Sequence, residues 1–83
     1  MGEYYSELAS ALQERLKVIS DQELRTRDPE TQLQKLRLLS EQIDRLKDRL
    51  PTDADPMLRH YLERMSLTKA LDLIQSRYLE ANN

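Results

Sequence analysis

The sequence predicts an all-α fold: a small antiparallel bundle of three helices, or four if the chain breaks near Ser66, in a single domain over residues 1–83. Three observations predict it. The composition is dominated by Leu, Glu, Arg, Gln, Lys and Ala, which lose little on entering a helix, and it holds one glycine, Gly2. The stretch LRLLSEQIDRLKDRL carries Leu36, Ile43 and Leu50 at every seventh position, with Leu39 and Leu46 three after the first two. That is a coiled-coil-like seam on a central helix, and its leucines need cover from other helices or a second chain. Two Asp-Pro pairs, Asp28-Pro29 and Asp55-Pro56, supply helix starts. In each, Asp can cap free backbone N–H groups, while Pro at the first helical position lacks an N–H that would be unpaired anyway.

The first helix is expected from about Glu3. At about 100° per residue, Tyr5, Leu8, Ala9, Leu12, Leu16 and Ile19 form one stripe. Ser20 and Glu23 have capping-box spacing and Leu24 falls off the stripe, so a break near Ser20 is one reading and a continuous helix to Asp28 the other. The second helix runs from Pro29 through the seam to Leu50, where Pro51 stops it. Arg45, Lys47 and Arg49 suit the negative end of its dipole. Thr52–Asp55 is a short link, which predicts an antiparallel hairpin between the seam helix and the next one. From Pro56 to Glu80 the pattern shows two stripes. Leu58, Tyr61, Leu62 and Met65 lie on one, and Leu67, Ala70, Leu71, Ile74 and Tyr78 on another, pointing roughly opposite ways on a continuous helix. Either Ser66 caps a separate helix, or one long helix buries opposite faces against different partners. Asn82 and Asn83 read as a frayed end.

Composition narrows the function classes. A chain this short buries only about 60% of its unfolded surface, so packing alone holds it weakly. There is no Phe, Trp or Cys, four Tyr and one His, which excludes disulfides and thiolate metal sites. No metal or cofactor is expected. Either very regular helix packing or self-association then holds this small scaffold, and the second is favoured. The 34% of charged residues alternate in sign and keep the apolar spacing intact, so the chain folds rather than staying disordered. A net charge of -2 gives no general attraction to phosphate backbones or anionic lipid. No apolar run approaches the roughly 20 residues of a membrane span. The opening MGEYYSEL is acidic, without the apolar core of a secretory signal, and a cytoplasmic location is expected. Gly2 and Ser6 match the loose MGxxxS spacing for myristoylation, a spacing common by itself.

No chemistry-bearing constellation emerges, and an enzyme is not expected. His60 has Glu63 and Arg64 nearby but no nucleophile to serve. Glu41, Asp44 and Asp48 have the spacing of surface carboxylates that pair with Arg45 and Lys47. One glycine cannot build a phosphate loop. The string LRLLSEQIDRLKDRL resembles the opening helix of the all-helical chorismate mutase family in its Leu-Arg and Ile-Asp pairs. The resemblance covers fifteen residues in mid-chain, and the cationic residues such a site needs across three helices are not identifiable. Arginines outnumber lysines nine to four, which makes a nucleic-acid binder using Arg37, Arg45, Arg49, Arg59 and Arg64 the alternative function. Interleaved acids argue against a phosphate-binding face.

The leading expectation is therefore a non-enzymatic helical protein–protein interaction or regulatory module that self-associates as a homodimer or meets another helical protein. Leu67, Leu71, Ile74 and Tyr78 are its candidate interface, because a second copy could cover whichever C-terminal stripe the protomer does not. On that reading Ile74→Asp dissociates the dimer and leaves the earlier helices intact. Leu33 and Leu38 lie off the seam, on flanks that a neighbour could cover, and Tyr4, Tyr5 and Tyr78, near the chain ends, either anchor an interface or only close the core at the ends of the bundle.

Overall fold

The computed structural model describes residues 2–79 and contains five α-helices. They are α1 (Gly2–Ser20), α2 (Gln22–Arg27), α3 (Pro29–Asp48), α4 (Pro56–Glu63) and α5 (Leu67–Ile74), with a π-helical turn over Gln75–Leu79 continuing α5. No strand occurs among the described residues, so the fold is all-α. Glu80, Asn82 and Asn83 lie outside them.

The two long helices, α1 and α3, form the frame and run antiparallel. Tyr4 Oη donates to the Leu46 carbonyl, Arg15 Nε donates to Ser40 Oγ at 3.1 Å, and Gln32 Nε2 donates to the Val18 carbonyl at 3.0 Å. α5 and the π turn pack on α1, α4 packs on α5, and α2 closes the corner between α1 and α3. The expected hairpin between the seam helix and α4 is thus not the main pairing. The seam helix lies chiefly against α1, and the 51–55 link delivers α4 to α5 instead.

α1 buries two lines of side chains. Tyr4, Leu8, Ala11, Arg15 and Val18 follow i, i+4, i+7 spacing towards α3, and Tyr5, Ala9, Leu12 and Leu16 face α5 and the π turn. The single stripe read from the sequence captures the second line and misses Ala11 and Val18. One apolar core joins these helices: Leu8, Leu12, Ile43, Leu58 and Ile74 are its largest fully buried members, with Leu46, Leu50, Leu62, Leu67 and Ala70 around them.

The helix ends follow local chemistry. α1 stops at Ser20 because side chains take its last carbonyls: Ser20 Oγ bonds Leu16, Gln32 bonds Val18, and Arg25 bonds Ile19. The cap of α2 is Asp21, which accepts the Leu24 N–H at 2.9 Å, so the break comes one residue after Ser20. Asp28 and Asp55 cap α3 and α4 as their Asp-Pro pairs predict, accepting from Thr31 and Met57. α3 ends at Asp48, two residues before Leu50, since the residue preceding Pro51 is pushed out of helical geometry.

The C-terminal segment breaks at Ser66. The Ser66 N–H bonds the Tyr61 carbonyl at 2.8 Å and the Met65 N–H bonds Leu62 at 3.2 Å, with Met65 between them at φ 58°. This is a Schellman turn whose left-handed position, usually glycine, is held by methionine at a cost of about 1 kcal/mol. The turn redirects the chain so that both stripes face the same core: Leu58 and Leu62 from α4, Leu67, Ala70 and Ile74 from α5.

Candidate interaction surface

The α1–α3 frame is longer than the layer that covers it. Helices of 19 and 20 residues extend roughly 28–30 Å, whereas α4, at 8 residues, extends roughly 12 Å and α5 with the π turn that continues it roughly 18 Å. The apolar faces of the frame therefore continue beyond their cover. Moving seven residues along the same face towards the α2 end shows it on both helices. On α1, Leu12 is fully buried and Ile19 is 37% exposed. On α3, Leu46 is buried and Leu39 is only half-buried. Leu36 and Leu39, two of the five seam residues, stand outside the core that holds Ile43, Leu46 and Leu50.

The antiparallel register set by Arg15 and Ser40 puts Leu16 and Leu39 at one level of the frame. Beside Leu16 the α4–α5 corner contributes Met65, 46% exposed, and a cleft of about 360 Å³ lies among Leu16, Ile19, Met65, Ser66, Leu67, Thr68 and Lys69. Leu38, 64% exposed, and Leu33, 63% exposed, lie on opposite flanks of the α3 seam. Apolar side chains therefore meet water along this part of the frame, interspersed with Ser66, Thr68 and Lys69.

The other end is closed by tyrosines. The Tyr5 and Tyr78 rings stack with centroids 3.8 Å apart, and Tyr4 meets Tyr5 edge-on at 5.1 Å. Tyr78 Oη accepts the Asp55 N–H at 3.1 Å, and Arg77 reaches the Asp55 carboxylate at 3.4 Å. Burial, then the hydrogen bond with Tyr78, push the Tyr5 phenol up to about 12, and burial raises Tyr4 as well. These groups stay neutral and fasten the π turn to the start of α1 and to the cap of α4.

Of the candidate interface residues, Leu67 and Ile74 are buried in the core, and Leu71 and Tyr78 are half-buried and packed against it. The stripe is covered within one chain because the Ser66 turn folds it inward, so a second copy is not required to shield it. His60 is exposed, its ring tilted against Tyr61 at 6.0 Å. Among the described residues no cluster of His, Asp or Glu has the makings of a metal site, and no helix is long and apolar enough to cross a membrane. Arg37, Arg45, Arg49, Arg59 and Arg64 are all exposed, and α3 carries four acidic residues beside four basic ones. The ion pairs among the described residues are Arg27–Glu23 and Arg77–Asp55; Glu41, Asp44 and Asp48 do not close on Arg45 or Lys47. In the exposed setting of α3 such pairs gain too little to hold long side chains together.

Fold and surface together define an all-α domain with one end closed by tyrosines and with apolar side chains partly exposed towards the other. No protein-family model, curated protein or solved structure matches the chain.

Proposed function

We propose that this protein is a non-enzymatic helical interaction module that self-associates as a two-fold dimer. The observation that carries the reading is that apolar side chains of the frame lack full cover: Leu36 and Leu39 stand outside the core that holds Ile43, Leu46 and Leu50, and Ile19 and Met65 are partly exposed. Burying them against another helical surface offers stability that so short a chain otherwise lacks.

Sedimentation equilibrium over a wide concentration range, with far-ultraviolet circular dichroism on the same samples, tests the reading. A helical dimer at low micromolar concentration is the expected result. A folded monomer at every concentration would remove self-association from the reading.

A further inference from the structure

We infer that two copies of the chain exchange α5 and its π turn. Met65 is the hinge, α4 and α5 join into one helix, and the α5 of each copy takes the place of the other's on α1 and α4. This rests on the self-association reading above and names the element that carries it.

Three observations meet at the Met65–Ser66 joint. The first is strain. Met65 holds φ 58°, a conformation that is unfavourable for a residue with a side chain and that this type of turn usually gives to glycine. The second is that little in the local sequence maintains the break. No Gly or Pro occurs between Met57 and Leu79, and Glu63, Arg64, Met65 and Leu67 are all good helix formers. Ser66 makes no side-chain capping bond to α5. The turn persists because it brings Leu67, Ala70 and Ile74 back onto the chain's own core. The third is direction. On a continuous helix the stripe of Leu58 and Leu62 and the stripe of α5 point opposite ways. One then faces its own α1–α3 frame, and the other faces away, towards the frame of a second copy.

The closed structure says what fills the vacated place. The site on α1 fits α5 because it already holds the chain's own: Ile74 is fully buried, Tyr78 stacks on Tyr5 at 3.8 Å, and Tyr78 Oη accepts the Asp55 N–H. The α5 of a second copy makes the same contacts, so exchange keeps them all. In both chains Met65 leaves the left-handed region, helical hydrogen bonds bridge the joint, and Met65 falls into line with Leu58 and Leu62.

Two substitutions separate the backbone of Met65 from its side chain. Met65→Gly removes the strain of the closed turn and weakens the joined helix, whereas Met65→Ala deletes the same side chain but keeps a β-carbon and high helix propensity. Samples are refolded from urea so that the two forms equilibrate, then examined by sedimentation equilibrium. Met65→Gly should dimerise at least about tenfold more weakly than the parent, and Met65→Ala at least as tightly. Hydrogen exchange supplies a second reading. In the closed chain Leu67, Thr68 and Lys69 form the first turn of α5, whose N–H groups lack helical partners. In the joined helix they bond the carbonyls of residues 63–65, so they gain protection in the dimer. A parent dimer that responds alike to both substitutions, or whose 67–69 amides are no better protected than in the Met65→Gly monomer, overturns the exchange and leaves self-association standing. A parent that is monomeric throughout overturns both.

Discussion

The two ends of the α1–α3 frame carry the same apolar repeat and hold together by different means. At the closed end Leu8, Leu12, Ile43, Leu46, Leu58 and Ile74 exclude water, and the tyrosines lock the termini of three elements over them. At the open end Val18 and Gln32 are buried together, but the fastening is polar: the Arg15–Ser40 bond, the Gln32 amide on the Val18 carbonyl, and the caps Asp21 and Asp28. The lesson is that a heptad pattern specifies a face that can be buried, whereas burial itself depends on whether another element reaches it.

The comparison breaks most visibly at paired seam and core positions. Ile74→Ala, at the closed end, should cost about 2–5 kcal/mol, as core truncations do. Leu39→Ala, half-exposed in one chain, should cost about 1 kcal/mol or less under dilute, monomeric conditions. Urea denaturation at low concentration measures both, and equal costs would mean the two ends are equally covered. In the same fold Ile74→Asp places a charge in the core and should abolish helicity altogether, which circular dichroism reads directly.

Gln32→Ala asks whether polar fastening matters at the open end. It removes the donor to the Val18 carbonyl from a buried position, so a loss of about 1–2 kcal/mol is expected. Hydrogen exchange should show that loss concentrated in α2 and in the adjoining ends of α1 and α3; uniform loss across α4 and α5 would contradict a division into two ends. Met65→Gly works in the opposite direction. Relieving the left-handed φ should stabilise the protein by about 0.5–1 kcal/mol in thermal or urea unfolding, and destabilisation would mean that the Met65 side chain matters more than its backbone.

The smallest effect lies in alkali. Tyr5 is neutral in the folded state up to about 12, whereas in the unfolded chain it ionises near its ordinary value of 10.0. A raised folded value gives stability that is complete below pH 10 and is lost as pH rises from 10 towards 12. Tyr5→Phe should flatten that decline without changing the response near neutrality. Asp28 shifts the other way. The Thr31 hydroxyl, then its N–H, hold its carboxyl below the usual value, so the cap contributes above the unfolded value and is lost as pH falls through the folded one. Asp28→Asn should remove that part of the acid dependence.

Much of the fold was legible in particular residues. The two Asp-Pro pairs start helices where their capping chemistry requires, and Pro51 halts the seam helix within one turn. The opposed stripes around Ser66 do mark a break, because no single helix could bury both against one core. The surface was less legible. Leu38 stood out as an apolar residue off the seam, but nothing distinguished Leu39 from Leu46, since both occupy the same position of the repeat. Ala11 and Val18 were missed because a helix with two neighbours has two buried lines, and a search for one stripe merges or drops the second.

The sequence by itself determined the helical class, the helix starts and the place where the C-terminal segment turns. These depend on forces within a few residues: capping groups, the missing N–H of proline, and side-chain periodicity. Tertiary structure alone decided that α3 lies against α1, that the Leu67–Ile74 stripe faces inward, and that the frame outruns its cover. Those outcomes depend on contacts between residues far apart in the chain and on the relative lengths and directions of whole helices. A local pattern marks an apolar face without saying which element will meet it.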